Sequence, residues 1–482
     1  MDQIPFIGRK YELERLNDLF HKKTASLVVI NGRRRIGKSR LIEEFAKNKT
    51  FYHFSGLAPD KGITAQDQRN EFSAQLAHQT NFPDMQSDDW SKLFHLLGEK
   101  IKHGKIVVLF DEITWMAHDD PPFLSKLKNA WEMYYKKNPK LIFIICGSVS
   151  AWIEKNILSS TGYFGRVSLH LSLTELPLPH CSQLLNVLGF KRSSLEKLLF
   201  LSLTGCIPWY IEQVNPQYSA EKNISRLCFE PSSLLLPEFK YIFHDLFGRR
   251  SEIYEKIVKL LVNGPMDYQA ISEKLQYSAG SSLTDYLQEL AICGYIKKYN
   301  TWNLKSAIPS KLCRFRLSDN FLRFYFKFIL PKIAAIKEGR LTDLHVSTLP
   351  GWWGMIGLQV ENLILNNSQL ILAALSLNPL EIVAEGPFFQ RTTERAKGCQ
   401  FDYLIQTKLN TLYACEIKFS QKALGGSIVK EMKEKIAKLL IPKNFAVLPV
   451  LIHCNEVLDE VEEADYFHKI INFSQFLSSS SC

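Results

Sequence analysis

At 482 residues the chain is longer than one ordinary hydrophobic core serves, so two to four domains are expected. Its composition, 46% apolar and 22% charged, is globular, and no run reaches the roughly 18 continuous apolar residues of a membrane helix, so no membrane partner is expected. The formal charge of +10 favours a nucleic-acid partner only mildly, and a plain basic surface accounts for it as well.

The N-terminal stretch MDQIPFIGRK has no basic region followed by an apolar one, so no secretory signal is expected. Residues 10–21 carry Leu13, Leu16 and Phe20 at helical spacing. The apolar run 26–30 follows, then a Gly/Arg-rich loop and a helical pattern from Ser39 to about Lys47. Strands are expected at 51–54, 106–112, 141–148 and 167–172. Near-continuous Val, Ile and Leu in such strands means burial on both faces, as in a parallel sheet between helices, so the chain is expected to start with an α/β core over 1–173.

Residues 174–248 keep helical spacing without a strand signal and suggest a helical lid. From 249 to 310, three helical segments and the stretch YIKKYNTWNLK have the order of a winged helix-turn-helix. Its third helix, near Ser281–Cys293, offers Ser281, Ser282, Thr284, Asp285 and Gln288 outward, and Lys297 and Lys298 on the wing suit phosphates better. Such elements read DNA or serve as packing modules, and both readings stay open here. A connecting helix is expected within 311–350, from its aromatic-rich stretch 312–338. The last unit, 351–475, returns to alternation: a helix near 354–366, strands near 380–385, 399–406 and 412–419, and a charged helix VKEMKEKIAKLL. Ten cysteines stand singly with no CxxC pair, which argues against a zinc site or disulfide scaffold and for a cytoplasmic, reducing location.

Gly32, Arg33, Arg34, Arg35, Ile36, Gly37, Lys38 and Ser39 fit G-x-x-x-x-G-K-[ST] at every fixed position, between an apolar strand and a helix. Glycines let backbone N–H groups turn around phosphates, Lys38 reaches the β- and γ-phosphates of ATP, and the Ser39 hydroxyl binds Mg2+. Asp111 and Glu112 end the strand IVVLF, where one carboxylate holds the metal through water and the next polarises the attacking water. An acidic pair alone also caps helices; the phosphate loop upstream is what gives this pair its meaning.

Together with Phe6-Ile7-Gly8-Arg9, the loop Asn31 to Arg40 and Asp111-Glu112, three later motifs resemble the archaeal-type ATPase family, an AAA+-related branch near the STAND ATPases. They are Cys146-Gly147-Ser148, Gly165-Arg166 and Gly205-Cys206-Ile207-Pro208, and the resemblance covers about residues 5–340. It implies a nucleotide site that includes Ile7, Gly8, Arg9 and Arg40, with an adenine contact near the first three. It further implies a phosphate sensor at Ser148, Pro208 near the base, and Arg166 acting on γ-phosphate charge in cis or in trans. An arginine at a strand entrance is also an ordinary surface residue. Where many relatives carry a glutamine after the acidic pair, this chain has Ile113-Thr114-Trp115.

Glu361, Asp402 and Glu416-Ile417-Lys418 resemble the E…D…ExK order of the PD-(D/E)xK nuclease superfamily. The resemblance implies Mg2+ on Glu361, Asp402 and Glu416, with Lys418 beside the nucleophile. Glu416 and Lys418 share a strand face; Asp402 joins them only if the hairpin is centred on Leu409. A Glu-x-Lys pair is equally the mark of a solvated sheet face. Two functions remain in view: an ATP-hydrolysing protein regulating a DNA-acting nuclease-like domain, with self-association left open, and an ATP switch whose C-terminal domain only binds a partner.

Overall fold

Alternate residues of the strand Ser26–Gly32 (β1) enter different cores, Leu27 and Val29 on one face, Val28 and Ile30 on the other. The same division holds for Ile106–Asp111 (β3) and Leu141–Gly147 (β4), so these apolar runs are buried on both sides. Thr50–Ser55 (β2) and Val167–Leu173 (β5) complete a five-stranded sheet, parallel throughout, in the order β2-β3-β4-β1-β5. The computed structural model describes residues 4–58, 62–247, 251–277, 281–394 and 397–478.

The free edge of β2 is covered by side chains. Gln79, Gln75 and Gln68, on the helix Ala65–Thr80, each accept from and donate to the backbone of His53, Ser55 and Leu57 in turn, at 2.8–3.0 Å. Three amides thereby stand in for a neighbouring strand and satisfy groups that water would otherwise serve.

After β5 come the lid helices Leu178–Val187, Ser194–Thr204, Ala220–Phe229 and Glu238–Phe247. The expected boundary at 248/249 falls outside the described residues. The next unit has helices Ser251–Leu260, Tyr268–Leu275 and Ser281–Ile292, with a three-stranded antiparallel sheet of Met266–Asp267 (β6), Ile296–Trp302 (β7) and Pro309–Leu317 (β8). Residues 312–317 are therefore strand, where a connecting helix was expected, and this unit runs past 310. Their aromatic density suggested a helix, but their period is two: Phe315 and Leu317 face the unit's own core, while Arg314 and Arg316 reach Gln400 and Asn362 of the C-terminal unit. Helix begins only at Asn320.

The C-terminal unit carries the helix Trp352–Asn366 and a mixed sheet of Ile382–Gln390 (β9), Cys399–Thr407 (β10), Thr411–Lys418 (β11), Ala446–His453 (β12) and Lys469–Asn472 (β13). Strands β9, β10 and β11 are antiparallel; β11, β12 and β13 are parallel, and the helix Ser427–Lys438 crosses between β11 and β12. Tyr403 faces Cys415 and Gln406 faces Leu412, a register centred on Leu409 whose last pair lies one residue short of Asp402 and Glu416.

The units are tightly joined. Trp302 Nε1 donates to Gln406 Oε1 at 2.7 Å, and Lys197 Nζ on the lid donates to the Leu477 carbonyl at 3.2 Å. Among the described residues no helix is long and apolar enough to cross a membrane.

Candidate functional site: a phosphate loop and a distant carboxylate cluster

At the end of β1 the backbone turns through left-handed conformations at Arg35 (φ 65°) and Gly37 (φ 92°), then enters the helix Lys38–Ala46. Gly37 supplies that conformation without strain, and the first N–H groups of the helix are left for an anion. Lys38 is buried, and its ammonium donates to the carbonyls of Gly32 and Arg33 at 3.0 Å each, holding the loop wound. Ser39 Oγ donates to Asp111 Oδ2 at 2.9 Å. Burial pushes the Asp111 carboxyl up, but the nearby His53 ring and the bond from Ser39 outweigh it and hold it below the usual range. A hydroxyl and an ionised carboxylate side by side at the loop are a hard-oxygen pair that fits Mg2+.

Glu112 follows with a left-handed backbone (φ 49°), and its Oε2 accepts from the Ser148 N–H at 3.1 Å and the Ser148 hydroxyl at 2.9 Å. Few non-glycine residues adopt that conformation, and Glu112 does so where β3 ends.

A cavity of about 470 Å3 lies over the loop. Of the expected nucleotide residues, Ile7, Arg9, Arg34, Arg35, Ile36, Gly37, Lys38, Ser39, Arg40, Glu112 and Pro208 line it. Gly8 lies behind, where a side chain would meet the His180 ring at 3.2 Å. Arg9 donates to the Ile36 carbonyl at 3.4 Å and to that of Thr174.

The loop arginines divide their work. Arg33, expected to touch nucleotide, instead turns away from the cavity. Its guanidinium pairs with Glu175 at 2.8 Å and with buried Asp319, and lies 4.7 Å from the Tyr295 ring. Arg35 lies 3.3 Å over Trp209 and bonds Glu238 at 2.6 Å, fastening the loop to the lid. Arg166 lies just ahead of β5, beside Val167, which pairs with Leu27 at the entrance of β1. Five residues of strand, about 16 Å, separate that level from the phosphate loop, and Arg166 bonds Glu132 at 2.5 Å. In this structure Arg166 therefore lies at the opposite end of the sheet from its own phosphate loop.

The second expected site is crowded. Ile417 N–H donates to Asp402 Oδ2 at 2.9 Å. Burial, then Glu416 and Glu361, push the Asp402 carboxyl up to about 7. Burial also raises Glu361, against the pull of Arg316 and Arg323. Glu416 is only 2% exposed and is paired with Lys418 (3.0 Å) and Lys435 (2.6 Å). Among the described residues no group of three or more Asp, Glu, His or Cys side chains is placed to hold a metal. The expectation that Glu361, Asp402 and Glu416 converge on Mg2+ is corrected: ammonium groups take up the charge where the ion was expected. The site as it stands does not fit a metal.

Sequence reading missed Lys435 and Glu431, which face this cluster from one turn apart on the helix Ser427–Lys438, along the border of its buried stripe Ile428, Val429 and Met432. That i, i+4 pair on an amphipathic helix was the available signal. His53, 3.7 Å from Asp111, and the partners of Arg33 were missed too. On the third helix, Ser282, Thr284, Asp285 and Gln288 are exposed, and the side chain of Ser281 lies outside the described residues. Lys297 and Lys298 are both exposed on β7, and Lys297 donates to Asn366 Oδ1 at 2.8 Å.

The parallel sheet, wound loop and acidic pair define a P-loop ATPase domain. Residues 6–214 belong to the family of ATPase domains found predominantly in Archaea. An uncharacterized protein of Methanocaldococcus jannaschii is 25% identical over 337 residues, 69% of this chain and 71% of its own. An uncharacterized ATP-binding protein of the same organism is 44% identical over 46 residues, 10% of this chain and 78% of its own. The Walker-type ATPase of Pyrococcus abyssi shares the fold at 17% identity with a TM-score of 0.50, over 67% of this chain and 96% of that one.

Proposed function

We propose that this ATPase is an ATP-driven, AAA+-related switch acting on DNA, in which the state of the phosphate loop controls a C-terminal PD-(D/E)xK nuclease-like unit. The observation that carries the reading is the route out of the loop. Arg33 pairs with Asp319, which caps the helix Asn320–Phe324 through the Leu322 N–H at 2.7 Å. On that helix Asn320 Nδ2 donates to the Gln359 carbonyl at 3.2 Å, and Arg323 donates to Gln359 Oε1 at 3.1 Å. Gln359 and Asn362 flank Glu361 on the helix Trp352–Asn366, and Arg316 donates to Asn362. A buried network tied at this many points has few alternative arrangements, so a change at one end biases the other.

At the first site Mg2+ would supply charge neutralisation between the phosphates, held near Ser39 and Asp111. Lys38 would leave the Gly32 and Arg33 carbonyls for the phosphates, Glu112 would orient the attacking water, and Ser148 would fix Glu112. The third unit is read as a winged helix meeting DNA through Lys298 and the exposed face of its third helix, and Arg166 as serving a neighbouring copy.

The test measures duplex affinity and plasmid nicking with ATP or ADP for the wild-type chain, Lys38→Ala and Glu416→Ala. Affinity should depend on nucleotide in the wild type and not in Lys38→Ala, and nicking should vanish in Glu416→Ala. Affinity indifferent to nucleotide in the wild type would sink the switch. Nucleotide-dependent affinity without nicking would favour the second reading, a partner-binding C-terminal unit, which the lysine-filled cluster already supports.

A further inference from the structure

The carboxylate that the nuclease-like reading needs most is the one least available. Both oxygens of Glu416 accept from a single ammonium, Lys435 Nζ, at 2.6 Å each. Lys418 Nζ adds a third contact at 3.0 Å. Glu431 receives Lys418 at 2.8 Å and stands 3.5 Å from Lys435, so the two lysines are themselves anchored. A symmetric grip on both oxygens is the geometry a bound cation adopts toward a carboxylate, and a divalent ion added there would meet strong repulsion from both ammonium groups. Lys435 arrives from outside the sheet, on the helix Ser427–Lys438, and Gly426, just before that helix, donates its N–H to Glu460 at 2.6 Å. Asp402 and Glu361 lie within electrostatic reach of Glu416.

We propose that Lys435 is a built-in cation which occupies the metal position on Glu416, so that the C-terminal site rests metal-free and accepts a divalent ion only when this ammonium is withdrawn. The inference rests on the nuclease-like reading of that unit and adds its control element. A lysine that merely oriented Glu416 as a ligand would leave one oxygen free, whereas here neither is. Withdrawal needs only a rotamer change of Lys435 or a small shift of its helix, whose exposed charged face leaves the side chain room toward solvent.

The experiment is calorimetric titration of the nucleotide-free, full-length chain with Mn2+, comparing wild type, Lys435→Met, Lys435→Gln, and Lys435→Met combined with Glu416→Gln. Loss of the internal cation should tighten Mn2+ binding by about tenfold or more, and Glu416→Gln should abolish the gain. Wild-type binding as tight as that of the Lys435 variants would overturn the proposal while leaving the nuclease-like reading in place. Absence of Mn2+ binding in every variant would remove that reading and this inference together. Lys435→Gln keeps a neutral donor for Glu416 in case Lys435→Met does not fold, and tight binding by the wild type alone is sufficient to refute the idea.

Discussion

Arg33 of the phosphate loop and Asp319 at the head of the helix Asn320–Phe324 form an ion pair buried on both sides, although 286 residues of sequence separate them. Removing one partner leaves the other as an uncompensated buried charge. Arg33→Ala is therefore expected to lower stability by about 3–5 kcal/mol, and adding Asp319→Asn should restore part of it. Urea denaturation of both variants checks this; a single-variant loss below about 1 kcal/mol would mean the pair is no better than a surface contact.

Hydrolysis should depend on Glu112 without ATP binding doing so. Glu112→Gln is expected to slow phosphate release by about 100-fold or more at nearly unchanged nucleotide affinity. Ser148→Ala, which leaves only the backbone N–H to hold Glu112, should slow it by roughly 10-fold. Steady-state kinetics beside a fluorescent-nucleotide titration separates the two quantities.

If Arg166 serves a neighbouring copy, ATPase activity per chain will rise with protein concentration in the wild type and stay flat in Arg166→Ala. A concentration-independent rate in the wild type would return Arg166 to its Glu132 pairing alone.

The Asp402 carboxyl is raised from 3.8 to about 7 by burial, with Glu416 and Glu361 adding to it and Lys435 opposing. A group protonated more readily in the folded than in the unfolded chain contributes stability below its unfolded pKa and loses it as pH rises through the folded one. The melting temperature should therefore fall between about pH 4 and pH 7 more steeply in the wild type than in Asp402→Asn. Above pH 7 the variant should be the more stable of the two. Parallel profiles for both proteins would show that Asp402 is ionised throughout.

Lys298→Glu should weaken duplex binding and reduce its salt dependence by about one to two counterions, and Lys297→Gln, which removes the neighbouring exposed cation, by about one. Fluorescence anisotropy across a salt series reads both.

How much of this was legible in sequence depended on how local each signal was. The strands of the ATPase sheet announced themselves because burial on both faces demands unbroken Val, Ile and Leu, and the register of β10 on β11 followed from strand period and a symmetric turn at Leu409. Residues 312–317 were misread because Phe and Leu at alternate positions resemble a helical stripe when arginines fill the gaps. Asp319 left no trace, since a loop docking on a distant cap has no spacing to count, and the i, i+4 pair Glu431 and Lys435 marks a helix without saying which sheet it meets. That is also why Arg33 looked like a phosphate ligand: its motif position is local, and its partners are not.

The glutamine cover on β2 has a consequence for assembly. A bare outer strand is a template on which another chain can extend the sheet, and here every such backbone group at His53, Ser55 and Leu57 is already spoken for by an amide from the helix Ala65–Thr80. Copies of this protein cannot zip together at those positions without first peeling a four-turn helix off the core, so any extension of a sheet by pairing would have to begin at another edge.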